Sequence, residues 1–350
     1  MSLSPEGLGA AGIGAALLAV AAVAARASLW LADWLGAQGL LDRPNDRSLH
    51  QRPIPRGGGI VILATTLLSL PPAVLALGLE ARHAGAFLLL VGGSSLLGWL
   101  DDRHGLPARL RLAVQGALGL ATVWALGLWP AAGQGAPAWL PVLAVPVITV
   151  WLTNLYNFMD GADGLAATQG AGAGLAAALL LWQAGAPGLA LVAGALAAGS
   201  LGFLAGNWPP ARLFMGDVGS YCLGSGFAAL AVVASLATPL TPAVWPILLA
   251  PFLLDASLTL ALRLLRGSHP FRAHREHTYQ RLLLSGVPLR RILHGLIVLQ
   301  LALLWPAAFR AATDEGAALA LAAGVLLMGG LAWLGLRRLV APAAGAAPQG

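Results

Sequence analysis

Apolar stretches of about twenty residues recur along almost the whole of this chain, and that recurrence restricts the fold more than any single motif. Crossing the ~30 Å hydrocarbon core of a bilayer takes roughly 20 mostly apolar residues in a helix. Backbone polar groups in lipid must also be satisfied within the structure itself. By that ruler eleven spans are expected, at 7–25, 57–78, 85–100, 111–129, 138–153, 165–183, 188–206, 219–238, 243–264, 291–309 and 316–336. Composition agrees, since 58% of the 350 residues are hydrophobic and only 10% are charged, against about 25% charged in a soluble domain. The expected fold class is all-α, a polytopic membrane protein. Met1 to Glu6 lack the positive charge of a signal peptide, so the first span is expected to stay in the bilayer.

The arginines orient this bundle. All 20 basic residues are arginine. When the gaps between spans are numbered alternately, one set holds eighteen of them and the other only Arg82 and Arg310. Positively charged loops stay cytoplasmic, so the N-terminus is expected outside and the C-terminus inside. The same asymmetry accounts for the net charge of +6 as membrane orientation, with no nucleic acid as partner. The single cysteine, Cys222, lies in an apolar run, so neither an intrachain disulfide nor a cysteine-based metal site is available. Leu29 to Leu41 reads as an amphipathic interfacial helix. One transmembrane domain is expected over 1–340, with working loops near 42–56, 101–110, 154–164, 207–219 and 266–290 and a disordered tail at 341–350.

Most of the aspartates and histidines lie in the arginine-rich gaps, and carboxylates at a membrane boundary are costly to keep without a use. The first such loop runs from Asp42 to Gly59 and ends in Pro55-Arg56-Gly57-Gly58-Gly59. Its arginines and free glycine N–H groups suit an anion cradle, although anchoring plus a flexible turn explains it about as well. Asp101 and Asp102 end the third span. Adjacent helical carboxylates point about 100° apart, so the pair can address two partners, and mutual repulsion favours a general base. The bland alternative is neutralisation by Arg103 and Arg109. In Asn154-Leu155-Tyr156-Asn157-Phe158-Met159-Asp160-Gly161-Ala162-Asp163-Gly164, the three-residue steps give a polar edge able to hold ribose, uracil or a metal-bound diphosphate. The alternatives are plain Asp-Gly turns and a calcium loop, whose spacing is absent. Asp217, in Phe214-Met215-Gly216-Asp217, stands at a helix start as a Mg²⁺ ligand, an N-cap, or both. His274-Arg275-Glu276-His277, flanked by Arg272 and Arg281, suits a diphosphate grip better than a zinc site. Asp255 lies inside the ninth span, as a functional group or a structural ion pair.

Together these blocks resemble the polyprenyl-phosphate N-acetylhexosamine-1-phosphate transferases, the superfamily of WecA, TagO, WbpL and MraY. The matching positions run from Leu41 to Leu282 in the family's order. The loop from Asp42 to Gly59 and the string His274 to Leu282 look like the WbpL branch, which starts O-antigen or related glycans. The chain departs from MraY in lacking both three consecutive histidines and any lysine. The resemblance implies transfer of a sugar-1-phosphate from a UDP-N-acetylhexosamine to undecaprenyl phosphate, with release of UMP, at the cytoplasmic face of a bacterial inner membrane. It implies Mg²⁺, with Mn²⁺ as a substitute, held by Asp217 and Asp160. Asp101 or Asp102 would orient or deprotonate the lipid phosphate. Asn154, Asn157, Asp160 and Asp163 would hold the nucleotide-sugar, with Phe214 against uracil and Arg56, His274, Arg275 and His277 on phosphates or sugar. A homodimer among membrane lipids is usual for such proteins. The alternatives are a multi-pass transporter of an anionic substrate, although transporters keep their ionisable groups near mid-membrane, and, within the superfamily, a peptidoglycan-precursor transferase of the MraY type.

Overall fold

The computed structural model describes residues 9–39, 41–42, 53–129, 137, 139–268 and 274–340. The expected tail at 341–350, the loop residues 43–52 and Arg272 lie outside the described residues. Sixteen α-helices and one two-residue strand pair make up the described chain. Helix α1 (Ala10–Ala37) is followed by the antiparallel pair β1 (Leu41–Asp42) and β2 (Ile54–Pro55). Helices α2 (Ile60–Leu68) and α3 (Leu70–Leu77) form one span. Helices α4 (Ala81–Phe87) and α5 (Gly93–His104) join through a π-turn into another. Then come α6 (Ala108–Ala125), α7 (Trp139–Met159), α8 (Leu165–Gln183), α9 (Pro187–Asn207) and α10 (Asp217–Ala237). The last part holds α11 (Val244–Leu248), α12 (Ala250–Leu265), the short α13 (Thr278–Leu284), α14 (Leu289–Leu299), α15 (Trp305–Thr313) and α16 (Glu315–Leu339).

Nine helical segments among the described residues are long and apolar enough to cross a membrane, so the protein is an all-α, multi-pass membrane protein. The other two expected spans coincide with α6, which carries Arg109 and Arg111 in its first turn, and with the pair α11–α12, which breaks at Leu249 just before Pro251. Proline has no N–H to continue the ladder. The break is supported from the side: Gln169 donates to the Leu248 carbonyl at 2.9 Å, and Gln300 donates to the Gln169 side-chain oxygen at 2.9 Å. Backbone freed inside a membrane needs such partners.

One expectation is corrected at the N-terminus. No separate interfacial helix follows the first span, because Leu29 to Ala37 continue α1 without a break. At 1.5 Å per residue its 28 residues reach about 42 Å, longer than the apolar core of a bilayer. The last turns carry stacked, exposed Trp30 and Trp34, and amphipathic rings of this kind settle at the headgroup level.

Helices α8, α9 and α10 form the buried centre, with α1 and α16 at the rim. Lipid tails are as apolar as leucine, so helices in a membrane associate by close packing of small residues. That gives the many glycines a physical role. A Cβ on Gly59 would lie 2.2 Å from the Gly219 Cα of α10, and one on Gly98 would lie 2.4 Å from the Asp217 carbonyl oxygen. Gly59→Ala is therefore expected to cost about 1–3 kcal/mol through overpacking. A clear fall in the thermal midpoint of the detergent-solubilised protein is the readout. Gly324→Ala, which meets no atom within 4 Å, should leave the midpoint unchanged.

Candidate functional site

Five segments meet at one end of the bundle: the β2–α2 turn, the end of α5, the end of α7 with its loop, the α9–α10 loop, and the turn into α13. Left-handed glycines permit the sharp exits. Gly105 closes α5 at φ 61° and returns its N–H to the Asp101 carbonyl at 2.8 Å, and Gly216 turns the chain into α10 at φ 73°. Backbone and amide bonds then tie the segments together. Phe214 N–H donates to Pro55 O at 2.8 Å, and the N–H groups of Gly57 and Gly58 donate to Phe214 O at 3.1 and 2.9 Å. Gly59 N–H donates to Met215 O at 2.9 Å.

The glycine triplet is thus not the expected anion cradle. Its three N–H groups are already used, and its lack of side chains lets α2 approach α10. Asn207 accepts from Gly164 N–H and donates to Leu213 O, both at 2.8 Å, and Asp163 accepts from Ala211 N–H at 2.9 Å. These bonds hold the α7–α8 loop against the α9–α10 loop.

Around this frame the carboxylates gather. Arg56 Nη2 lies 2.7 Å from Asp102 Oδ1 and 2.6 Å from Asp217 Oδ1, bridging the two acids. Asn157 donates to the same Asp217 oxygen at 3.1 Å and to Ser220 Oγ at 3.2 Å. Asp102 also accepts from the N–H groups of Asp217 (3.1 Å) and Val218 (3.3 Å), the free donors of the first turn of α10. Asp101 also adjoins the Asp217 carboxylate. It accepts from Leu106 N–H at 2.7 Å, Arg111 Nη1 at 2.6 Å and Tyr221 Oη at 3.3 Å, so both its oxygens are engaged. Among the described residues no hydrogen-bond donor reaches the Asp160 carboxylate. Burial pushes its pKa well above the carboxylate range, Arg56 opposes that, and Asp217, Asp102 and Asp163 add to it. For Arg56, burial pulls the pKa down, but the surrounding acids, Asp217 and Asp102 first, raise it on balance. The guanidinium is a permanent cation.

The remaining sequence candidates sit around this cluster. Asn154 is turned away, donating to Gln115 Oε1 at 2.6 Å and to Val150 O at 2.7 Å. Phe214 is half-buried and its backbone carries the loop pairing above. His274, Arg275 and His277 lie on the turn into α13, with the two imidazoles 5.0 Å apart. This turn reaches the α7 loop through Tyr279, whose hydroxyl donates to Phe158 O at 3.4 Å. Asp255 is an anchor: it accepts from Thr278 N–H at 2.9 and 3.0 Å, from Trp333 Nε1 at 2.9 Å and from Thr259 Oγ1 at 3.3 Å. Arg263 pairs with Glu276, and Arg337 donates to the Glu276 carbonyl at 2.7 Å. These bonds fasten α12, α13 and α16 together.

Both imidazoles are held neutral. Burial, then His277 and Arg263, push His274 down to about 4, and burial lowers His277 against the pull of Asp255. The unfolded chain, with histidines near 6.5, binds more protons than the folded one between about 4 and 6.5, so stability falls as pH drops through that window and is flat above it. His274→Gln is expected to shrink the loss of thermal midpoint between pH 6.5 and 4.5. An unchanged acid slope would show that His274 does not carry it.

Arg111, Tyr221 and Asn207 escape the sequence reading. Arg111 lies ten residues from its partner and reads as positive-inside charge. Tyr221 sits in an apolar run with nothing to distinguish it from packing, and Asn207 falls in the loop 207–219 without a motif of its own.

The donors suit a hard divalent cation. Mg²⁺ takes one or two carboxylates plus substrate phosphates and water rather than a complete protein cage. Two carboxylates here already share one cation, although among the described residues no group of three acidic, histidine or cysteine side chains is arranged to hold a metal by itself.

The chain has relatives among known proteins. The model of glycosyl transferase family 4 matches residues 84–235. The chain is 31% identical over 273 residues to undecaprenyl-phosphate alpha-N-acetylglucosaminyl 1-phosphate transferase of Yersinia pestis, covering 72% of each chain. It is 33% identical over 300 residues to decaprenyl-phosphate N-acetylglucosaminephosphotransferase of Mycobacterium tuberculosis, covering 75% of this chain and 72% of that one. It is 36% identical over 203 residues to phospho-N-acetylmuramoyl-pentapeptide-transferase of Moorella thermoacetica, covering 51% of this chain and 61% of that one.

Proposed function

The chain belongs to glycosyl transferase family 4, and from that membership and the site's geometry we propose that it transfers a sugar-1-phosphate from a UDP-N-acetylhexosamine to undecaprenyl phosphate. An oxygen of the lipid phosphate bonds to the sugar-bearing β-phosphorus. The bond from that phosphorus to the bridging oxygen breaks, and UMP leaves with the electron pair. The observation that carries this reading is the cation slot between Asp102 and Asp217, bridged by Arg56 at 2.7 and 2.6 Å. Two anionic phosphates can meet only where positive charge suppresses their repulsion.

Asp217 and Asp160, with Asp102 behind them, are the residues that would hold Mg²⁺. The ion would neutralise phosphate oxygens and stabilise the departing UMP. Asp102 positions Asp217 by gripping the first turn of α10, and Asp101 positions Arg111 and Tyr221 beside it. Asn157 steadies the Asp217 carboxylate. His274 and His277, with Arg275, would hydrogen-bond sugar or phosphate from the α13 side.

An apolar cavity of about 910 Å³ supports a lipid co-substrate. It is lined by Phe252, Leu299, Leu303 and Val325 and reaches Met159 and Tyr279 beside the carboxylates. The arginine distribution supports a cytoplasmic position for this end, and the likeness to the WbpL branch favours a role in starting O-antigen or another envelope polysaccharide.

The test is UMP release by the purified protein with undecaprenyl phosphate and a panel of UDP-sugars carrying GlcNAc, GalNAc, FucNAc or QuiNAc. Release that is abolished by chelation and restored by Mg²⁺ is expected. Uptake of substrate into vesicles without UMP would replace this reading with a transporter.

A further inference from the structure

Arg56 sits between the two acids that the proposed metal site would use. Its guanidinium lies within 2.7 Å of an oxygen on each of two acids, yet its side chain is 40% exposed. Its backbone is pinned, because it bridges to Phe214 and sits between Pro55 and Gly57, both bonded to Phe214. Only the side chain is able to move. The oxygen of Asp217 that it holds also accepts from Asn157, so a divalent ion on that oxygen would compete with both donors.

Resting on the metal reading above, we propose that Arg56 is a resident counter-ion exchanged during each turnover: it neutralises Asp102 and Asp217 in the substrate-free protein and swings onto the diphosphate of the nucleotide-sugar when a divalent cation takes its place. The physical reasons are separate and point the same way. Asp102, Asp217 and Asp160 crowded without a cation repel one another, so the empty site needs a standing positive charge. A divalent ion and a guanidinium on the same carboxylates repel just as strongly. A planar fork released beside a diphosphate finds a bidentate partner there, as a lysine ammonium would not. The exchange keeps the local charge near balance before, during and after binding. It also predicts that substrate and metal bind cooperatively, since the diphosphate gives the displaced arginine a new partner.

The experiment measures Mn²⁺ binding by electron paramagnetic resonance on the full-length protein in detergent, with and without a UDP-sugar. In the substrate-free state Arg56→Met is expected to bind Mn²⁺ about tenfold more tightly than wild type, or better. Addition of UDP-sugar should tighten Mn²⁺ binding in wild type and do so much less in the variant. Arg56→Lys, which keeps the charge and loses the fork, should hold the wild-type Mn²⁺ affinity and raise KM for the nucleotide-sugar. If Mn²⁺ binds wild type, is lost in Asp217→Asn, and is unchanged or weakened in Arg56→Met, the exchange is wrong and the metal site stands. If Asp217→Asn leaves Mn²⁺ binding intact, the metal site itself is misplaced and the exchange falls with it.

Discussion

Replacing Asp217 with asparagine is expected to lower UMP release on the order of a thousandfold while the thermal midpoint stays within a few degrees of wild type. The substitution keeps an oxygen at Oδ1 to accept from Arg56 and Asn157, now at 2.6 and 3.1 Å, so the local bonds survive. What disappears is the negative charge that would draw a divalent ion to the first turn of α10. The two readouts separate chemistry from folding, and turnover within tenfold of wild type would remove Asp217 from the metal role.

The second large effect is expected at Asp102, for a different reason. Asp102→Ala strips an acceptor from the N–H groups of Asp217 and Val218 and one of the two carboxylates from Arg56. Leaving buried donors unpaired costs about 1–3 kcal/mol, and the first turn of α10, which carries Asp217, loses its fixed position. A fall of about a hundredfold in kcat together with a lower thermal midpoint is expected, since small misplacements of reacting groups are expensive. Asp102→Asn retains an acceptor and should recover most of the midpoint. If the alanine variant lost activity with no loss of stability, a direct part in proton transfer would fit better than positioning.

Much of this architecture is legible from residue order alone, because the bilayer imposes a length on every span and a cost on every stray charge. The ends of the spans, the acidic pair at Asp101 and the run from Asn157 to Asp163 are visible for that reason. Pattern reading fails where two segments distant in sequence decide the outcome. The glycine triplet at 57–59 looks like a phosphate loop until α10 is laid against it. Asp255 reads equally as functional or structural until Thr278 and Trp333 are seen to donate to it. Asn154 shares a step with Asn157, yet one faces Gln115 and the other Asp217. The partnership of Asp101 with Arg111 and Tyr221 is equally hidden, since it depends on how three helices rotate about their axes.

The long first helix has a consequence for biogenesis. Its neighbours lie far along the chain: a Cβ on Gly194 would lie 2.5 Å from Leu17, one on Gly202 would lie 2.3 Å from Ala24, and Arg212 pairs with Asp33 at 2.8 Å. At ribosomal speeds of about 5–20 residues per second, the emerging N-terminal helix waits on the order of ten seconds or longer in the bilayer before α9 exists to receive it. During that interval its small-residue face is open to any passing helix or quality-control protease. The yield of intact protein in the cell is therefore expected to change with translation speed across the middle of the message.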